Sequence, residues 1–255
     1  MSHKKRNPFV EPPSLDERRA AREESLRNLH SRFFERFGAE PQFAGRSVLE
    51  IGCGQGELAV YAAQAGASAV TAIDPDAVVV DYADATLASE YPQLVGRVRF
   101  EAVAVDQVSD RYDLVLSKDT FEHIFDPQAA LRSIRERLNP GGEAWIGFSP
   151  LYFSPWGGHG HFGRLPWVQA LPWPLARKFP ERRYGRSVPS RETVWLNGMT
   201  PAQFRQYVND AGLGIQRIAY NQGDKRGLGL LTRMRVGPLE RFVTVSIYAI
   251  LVRAA

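Results

Sequence analysis

The chain has 255 residues, of which 44% are hydrophobic and 24% are charged. This composition provides for one large domain or two small ones and excludes a wholly disordered or fibrous protein. The net charge of +4 is modest, and the basic residues are spread along the chain without a recognisable RNA-binding module, so nucleic acid is not an expected partner.

A single cysteine, Cys53, excludes an internal disulfide and a cysteine-rich zinc site, and it favours a reducing compartment. No secretory apolar region follows the charged start of the chain. The longest apolar run, FVTVSIYAILV, has roughly half of the ~20 residues that a membrane-spanning helix needs. The sequence therefore predicts a soluble, cytoplasmic protein.

Residues 1–13 are polar and contain prolines, and we expect them to be a disordered tail. A single domain is predicted over residues 14–255, beginning with a helical region at 14–44. The segment Ser14–Glu17 has the spacing of a capping box, and Gly38 and Pro41 end the predicted helix. Its apolar residues fall mostly on one face: Leu15, Leu26, Leu29, Phe33 and Phe37. We expect that face to lie across the domain that follows.

Apolar runs then alternate with helical patterns. Strands are predicted at 46–52, 69–75, 97–105, 111–117 and 143–150, and helices at 56–66, 76–91 and 127–142. Such alternation indicates parallel strands joined by helical crossovers, buried on both faces. The predicted fold class is a doubly wound α/β sheet.

The alternation of apolar runs and helical patterns ends after Pro150. Residues 151–199 are rich in Pro, Gly, Trp and Arg, and we interpret them as an insert on the substrate side of the domain. A helix is predicted at 200–213, with Thr200 as its cap and Pro201 at its first position. A strand at 214–220 and a long final strand at 243–255 complete the chain.

Three glycines, Gly52, Gly54 and Gly56, lie where the first strand turns into the first helix. Glycine allows positive φ and close approach of a ligand, and ligands of open α/β sheets bind at the carboxyl ends of the strands. The dinucleotide fingerprint G-x-G-x-x-G is not met, because Glu57 stands in place of the third glycine. A Walker loop is also absent. The spacing therefore predicts a ligand-binding loop of another kind.

Two acids flank this loop. Glu50 precedes the turn, where it would repel a pyrophosphate and attract a cationic group. Asp74 ends the second strand, where a carboxylate can accept both ribose hydroxyls. Together they describe a nucleoside with a positive, phosphate-free tail, and S-adenosylmethionine is such a molecule.

At this point a family resemblance is visible. VLEIGCGQGELA resembles the first motif of class I S-adenosylmethionine-dependent methyltransferases, and VTAIDPD resembles their second. The region YDLVLSKDTFEHIFDPQAALRSIRERLNPGGEAWI is similar to the fourth-strand and fifth-strand region of the small-molecule branch. The resemblance covers about residues 45–150 and the closing strands. It implies a Rossmann-like, mostly parallel sheet of seven strands with an antiparallel last strand.

The resemblance also implies roles for the loop and the acids. Glu50, Gly52 and Gly54 match residues around the methionine part of the cofactor, and Gly56 belongs to the same loop. Asp74 matches the ribose ligand.

Further roles follow from the same alignment. Pro75 would flank adenine, and Ser117 would lie near the methionine tail at the end of the fourth strand. The family often has an acid on the adenine amino group after the third strand. The simplest alignment places Ala104 there, and Asp106 serves only if the loop is shifted.

Histidines supply the candidates for a catalytic base. His159 and His161 lie in SPWGGHGHFG, after the fifth strand, where the methyl acceptor is expected, and the neighbouring glycines would let this loop close as a lid. His123, in FEHIFDP, is a third candidate, although that motif usually begins a helix under the cofactor, which also favours a structural role for Glu122. His-x-His occurs in metal sites, but no further ligand lies nearby, so no metal is predicted.

The insert sequence RLPWVQALPWPLARKFPERRYGR mixes tryptophans and leucines with basic residues. Three interpretations stay open: a lid over an apolar pocket, a weak membrane-surface contact, and a solvated loop that packs its own aromatics.

The sequence as a whole predicts a methyltransferase acting on a small molecule, with a hydroxyl oxygen as the favoured acceptor. The alternatives are a carbon or nitrogen acceptor on a ring or lipid-like molecule, a non-catalytic S-adenosylmethionine-binding protein, and a dehydrogenase. The last would require the third glycine that Glu57 replaces.

Overall fold

The computed structural model describes residues 14, 20, 24, 26, 28–163, 165–194, 196–222, 235 and 237–254. Seven strands form one sheet in the order β3-β2-β1-β4-β5-β7-β6. The strands are β1 Ser47–Ile51, β2 Ala69–Ile73, β3 Val98–Glu101, β4 Tyr112–Lys118, β5 Leu138–Phe148, β6 Leu213–Tyr220 and β7 Ile247–Arg253. Strand β7 is antiparallel to both of its neighbours, and the other pairings are parallel. The predicted fold class is confirmed.

Helices cover both faces of this sheet. The α-helices are α1 Glu35–Phe37, α2 Glu57–Gln64, α3 Ala77–Glu90, α4 Pro127–Arg137, α5 Trp173–Ala176, α6 Lys178–Tyr184, α7 Pro201–Asp210 and α8 Glu240–Val243. A π-helical turn, His30–Phe34, leads into α1. Short 3-10 helices occupy Pro92–Leu94, Val105–Gln107, Phe121–His123, Val168–Ala170, Arg191–Val194 and Gly237–Leu239. None of the helices in the described ranges is long and apolar enough to cross a membrane.

The predicted boundary between the third crossover helix, 127–142, and the fifth strand was wrong. Helix α4 ends at Arg137, and Leu138 already pairs with Tyr112 of β4. Pro140 disfavours helical dihedrals at Asn139, whose side-chain amide instead donates to Asp113 at 2.7 Å. A contact to a distant strand therefore decides where this helix stops.

Two other strands are shorter than predicted. Strand β3 ends at Glu101, because Val103 donates to the Glu101 carbonyl in a turn that leads to Val105–Gln107. The final strand is confined to Ile247–Arg253, because Val243 still belongs to α8.

The N-terminal helical segment packs on one face of the sheet. Phe33, Phe34 and Phe37 are fully buried, and the Phe37 ring centroid lies 5.0 Å from that of Trp145 and 5.3 Å from that of Tyr248. The segment ends at Gly38, as predicted, where φ is 66°. Glu17 of the predicted capping box and Leu15 lie outside the described residues.

The sheet reverses its strand order between β1 and β4, and ligands of doubly wound folds bind at such a crevice. The loop after β1 and the turn after β4 meet there. The insert at 151–199 follows β5 on the same edge and has a small core of its own. The buried residues of that core are Tyr152, Phe162, Val168, Ala176, Val188, Val194 and Leu196.

Candidate active site

All three loop glycines have positive φ, but a side chain at each position would meet different surroundings. A Cβ on Gly52 would lie 2.2 Å from the Thr120 hydroxyl oxygen, and a Cβ on Gly56 would lie 2.6 Å from the Phe100 ring. A Cβ on Gly54, where φ is 51°, would meet no described atom within 4 Å. Gly52 and Gly56 therefore permit close packing, whereas Gly54 borders open space at the crevice.

This difference predicts unequal losses of stability when Gly54 and Gly52 are each replaced by alanine. We expect Gly54→Ala to lower the free energy of unfolding by only about 1–2 kcal/mol, the strain of positive φ at alanine. Gly52→Ala adds the clash with Thr120, and we expect a loss of about 3 kcal/mol or more. Urea unfolding measures both values. Thr120→Ala should recover part of the Gly52→Ala loss, and equal losses for the two glycine variants would contradict the assignment.

Two buried acids line the crevice. Glu50 is 3% exposed, and its Oε2 has no hydrogen-bond partner among the residues that the structure describes. Burial, with a further contribution from Glu57, raises its pKa well above the usual range. Asp74 is 6% exposed, and its Oδ1 accepts the Asp76 backbone N–H at 2.9 Å. A buried carboxyl with an unsatisfied oxygen is a suitable partner for a cationic ligand group.

The residues predicted to surround adenine lie at the next strand ends. Pro75 is half-buried and directly follows Asp74. Ala104 is half-buried, and its backbone N–H donates to the Gln107 side chain at 2.9 Å. Asp106 lies in the 3-10 helix after β3 and is exposed. The contact to adenine stays a prediction. Either the backbone near Ala104 or the Asp106 carboxylate can provide it.

Ser117, which was predicted to lie near the methionine tail, and Cys53 both make contacts within the protein. The Ser117 hydroxyl is 1% exposed and donates to the Ile51 carbonyl at 3.2 Å, so it links β4 to β1. Cys53 is buried, and burial raises the pKa of its thiol far above the usual range, next to the acids Glu50 and Asp74. A thiol that stays protonated acts as a packing group and not as a nucleophile.

A short turn connects the glycine loop to the histidines. Thr120 packs against Gly52, and three residues later the His123 ring lies against the His159 ring, with centroids 5.1 Å apart. Asn197 holds this turn through its side-chain amide, which donates to the carbonyls of Phe121 at 2.6 Å and Ile124 at 2.8 Å.

Glu122 occupies the centre of that turn. It is 4% exposed, and its Oε2 finds no hydrogen-bond partner in the described part of the chain. Burial raises its pKa well above the usual range, with a further contribution from Asp119. Neither Thr120 nor Asn197 was singled out from the sequence, because their roles depend on contacts with Gly52 and with the turn at 121–124.

His159 is held in one orientation. Its Nε2 lies 3.0 Å from the Pro150 carbonyl oxygen, and its φ is 48°, which is strained for a residue with a Cβ. A carbonyl only accepts, so Nε2 carries the proton and Nδ1 carries the lone pair. Burial, and then the neighbouring His123, lower the pKa of His159 to about 4. The ring is therefore neutral near pH 7, with a basic nitrogen at Nδ1.

His161 lies deeper in the insert. It is buried, and its Nδ1 forms a 2.7 Å hydrogen bond with the Tyr184 hydroxyl. Burial, followed by Arg183, lowers its pKa to about 4. The structure thus brings His123 and His159 together, while His161 is engaged within the insert.

Within the described ranges, no group of three or more His, Cys, Asp or Glu side chains could hold a metal ion.

The sheet order, the glycine loop after β1 and the acid at the end of β2 define the S-adenosylmethionine-dependent methyltransferase class. Similar solved structures include a methyltransferase of this kind from Mesorhizobium loti, 17% identical, with a TM-score of 0.56 over 92% of this chain and 99% of that one. Another is magnesium protoporphyrin IX methyltransferase from Synechocystis, with bound S-adenosylhomocysteine. It is 18% identical, with a TM-score of 0.55 over 98% of this chain and 92% of that one.

Residues 18–216 match the family described as a methyltransferase domain, and the chain belongs to that family. Its cofactor is S-adenosylmethionine. A curated relative, the ubiquinone biosynthesis O-methyltransferase of Bordetella avium, is 33% identical over 120 residues. That stretch covers 44% of this chain and 45% of the relative, so the match spans about half the length of the curated protein.

Proposed function

We propose that the chain transfers the methyl group of S-adenosylmethionine to a hydroxyl oxygen of a small molecule. One observation carries the proposal: the turn from Thr120 to His123 connects the glycine loop directly to the His123–His159 pair. A cofactor at the loop and an acceptor at the histidines would then lie on adjacent sides of the same turn. The name of the Bordetella avium relative supports oxygen as the acceptor atom.

The residues around the crevice fit this cofactor. Bound S-adenosylmethionine supplies an electrophilic methyl group on a positively charged sulfur. We assign the Glu50 carboxyl, through its unpartnered Oε2, to the cationic methionine part. The open space at Gly54 is assigned to close backbone approach, and Asp74 to the ribose hydroxyls. Pro75 and either the Ala104 backbone or Asp106 border adenine. Ser117 supports the crevice through its bond to Ile51.

His159 is the proposed general base. Its Nδ1 lone pair takes the proton of the acceptor hydroxyl, while Nε2 keeps its bond to the Pro150 carbonyl. Positioning of the acceptor supplies most of the acceleration, up to several kcal/mol, and proton removal adds roughly 10²–10⁴-fold. His123 packs on the imidazole, and His161, bonded to Tyr184, shapes the acceptor side of the insert.

The lowered pKa of His159 predicts an unusual pH profile. A base acts in its unprotonated form, so we expect kcat/KM to be level from about pH 5 to pH 8 and to fall only toward the pKa of about 4. Initial rates across this range measure it, with thermal melting at each pH as the control for unfolding. An inflection near 6.5, the ordinary imidazole value, would instead assign the step to a solvated histidine.

The proposal is tested by identifying the atom that receives the methyl group. The chain is incubated with S-adenosylmethionine carrying an isotopically labelled methyl and with phenols and catechols, each paired with the matching aromatic amine. Carbon NMR of the product distinguishes methyl ethers from N-methyl and C-methyl groups. We expect methyl ethers. Transfer only to amines or ring carbons would overturn the choice of oxygen.

A further inference from the structure

The insert exposes an unusual number of large apolar side chains. The structure describes nine exposed large hydrophobic residues, and five of them lie within residues 165–179. These are Leu165, Trp167, Leu171, Leu175 and Phe179, with exposed fractions from 38% to 68%. Clusters of this kind on a folded domain mark interaction surfaces, whereas single exposed leucines need no explanation.

The exposure of these side chains does not result from a missing core in the insert. The insert already has its own buried core, which includes Ala176 on the inner side of α5. The Trp173 indole N–H donates to the Pro189 carbonyl at 2.7 Å, and the Trp167 indole N–H donates to the Phe242 carbonyl at 2.8 Å. The backbone that presents the apolar side chains is therefore held in place.

Helical spacing arranges apolar and basic residues side by side. Helices α5 and α6 are joined by Arg177, which itself has helical dihedrals, φ −60° and ψ −25°. Leu175 and Phe179 are four residues apart on the exposed side, and so are Lys178 and Arg182 beside them. We call these four residues the basic-apolar face.

The charge of this segment is as unusual as its apolarity. Residues 165–186 hold five basic side chains and one acid, a net charge of +4, which equals the net charge of the whole chain. The acid, Glu181, already accepts the Val188 backbone N–H at 3.1 Å and lies 3.9 Å from Arg177. Lys178 and Arg182 form no ion pair with any residue that the structure describes. The rest of the chain is neutral in sum, so the positive charge is concentrated around exposed apolar side chains.

We propose that the basic-apolar face docks on the surface of an anionic lipid bilayer. Leu175 and Phe179 enter the headgroup boundary, and Lys178 and Arg182 bind lipid phosphates at the same depth. Long basic side chains can place their charge at the headgroups while their stems cover apolar surface. Charge complementarity argues against a second copy of the chain as the occupant, because two faces of the same positive sign repel each other.

Vesicle sedimentation tests this proposal without reference to methyl transfer. The full chain is spun with phosphatidylcholine vesicles containing or lacking phosphatidylglycerol. We expect binding to the anionic vesicles, release by high salt, and little binding to the neutral ones. The double variants Leu175→Ser/Phe179→Ser and Lys178→Gln/Arg182→Gln should each weaken binding roughly tenfold or more.

Matched controls come from other exposed positions. Val95→Ser replaces an apolar side chain that is 59% exposed, and Arg132→Gln replaces an exposed basic residue on α4. We expect neither variant to change vesicle binding. Circular dichroism confirms that each variant is folded. Absence of vesicle binding by the wild type, or equal binding by the double variants, overturns the proposal. Self-association in sedimentation velocity that Leu175→Ser/Phe179→Ser abolishes would assign the face to a second copy instead.

Discussion

Asp74→Ala should weaken S-adenosylmethionine binding about 100-fold. Asp74 directly follows β2 and is 6% exposed, and its carboxylate is assigned to both ribose hydroxyls. Two hydrogen bonds to a charged group are worth about 3 kcal/mol together, which corresponds to a factor of roughly 100 in the dissociation constant. Calorimetric titration of wild type and variant measures the change.

The control for this experiment is Asp84→Ala, which removes an exposed carboxylate from α3. It alters the net charge by the same amount without touching the crevice, so affinity should stay at the wild-type value. S-adenosylhomocysteine should show the same dependence on Asp74, because it shares the ribose. Unchanged affinity in Asp74→Ala would remove the ribose assignment. Heat from a nicotinamide dinucleotide, with none from S-adenosylmethionine, would mean that the glycine loop had been misinterpreted.

The second large effect is expected at His159. His159→Asn should lower kcat by roughly 10²–10⁴-fold while the dissociation constant of S-adenosylmethionine stays unchanged. Asparagine is the appropriate replacement because it tolerates positive φ, here 48°, and its amide is not a base. Single-turnover rates with an identified hydroxyl acceptor, together with calorimetry, separate chemistry from binding.

His161 provides the comparison. Its Nδ1 is bonded to the Tyr184 hydroxyl, so we expect His161→Asn to lower kcat by less than about tenfold. Added imidazole should restore part of the rate of His159→Asn if that variant lacks only a base. If alanine at both His159 and His161 leaves turnover unchanged, neither residue is the base, and His123 becomes the candidate to replace.

The fold could be predicted from the sequence because its signals are local. Apolar runs without polar alternation indicate buried parallel strands, and glycines after the first of them mark a ligand loop. The acids at Glu50 and Asp74 belong to the same short stretch and needed no distant partner to be recognised. The same local reasoning failed at α4, where Asn139 contacts Asp113, and at β3, which ends early in a turn.

The acceptor side could not be derived in the same way. The sequence favoured His159 and His161 over His123 as the base but did not separate the first two, and only their packing distinguishes them. His123 meets His159 across 36 positions of the chain, and His161 meets Tyr184. Likewise, glycine spacing alone does not reveal that Gly52 packs on Thr120 while Gly54 borders open space.

The sequence by itself determined the class of fold and predicted the cofactor loop and its two acids, because these depend on residues within a few positions of one another. The tertiary structure decided that His159 bonds the Pro150 carbonyl through Nε2, that Asp106 is exposed, and which side of the insert is covered. These properties arise from contacts between segments that are distant along the chain. Burial, hydrogen-bond direction and pKa belong to such contacts, and a residue's type and spacing do not specify them.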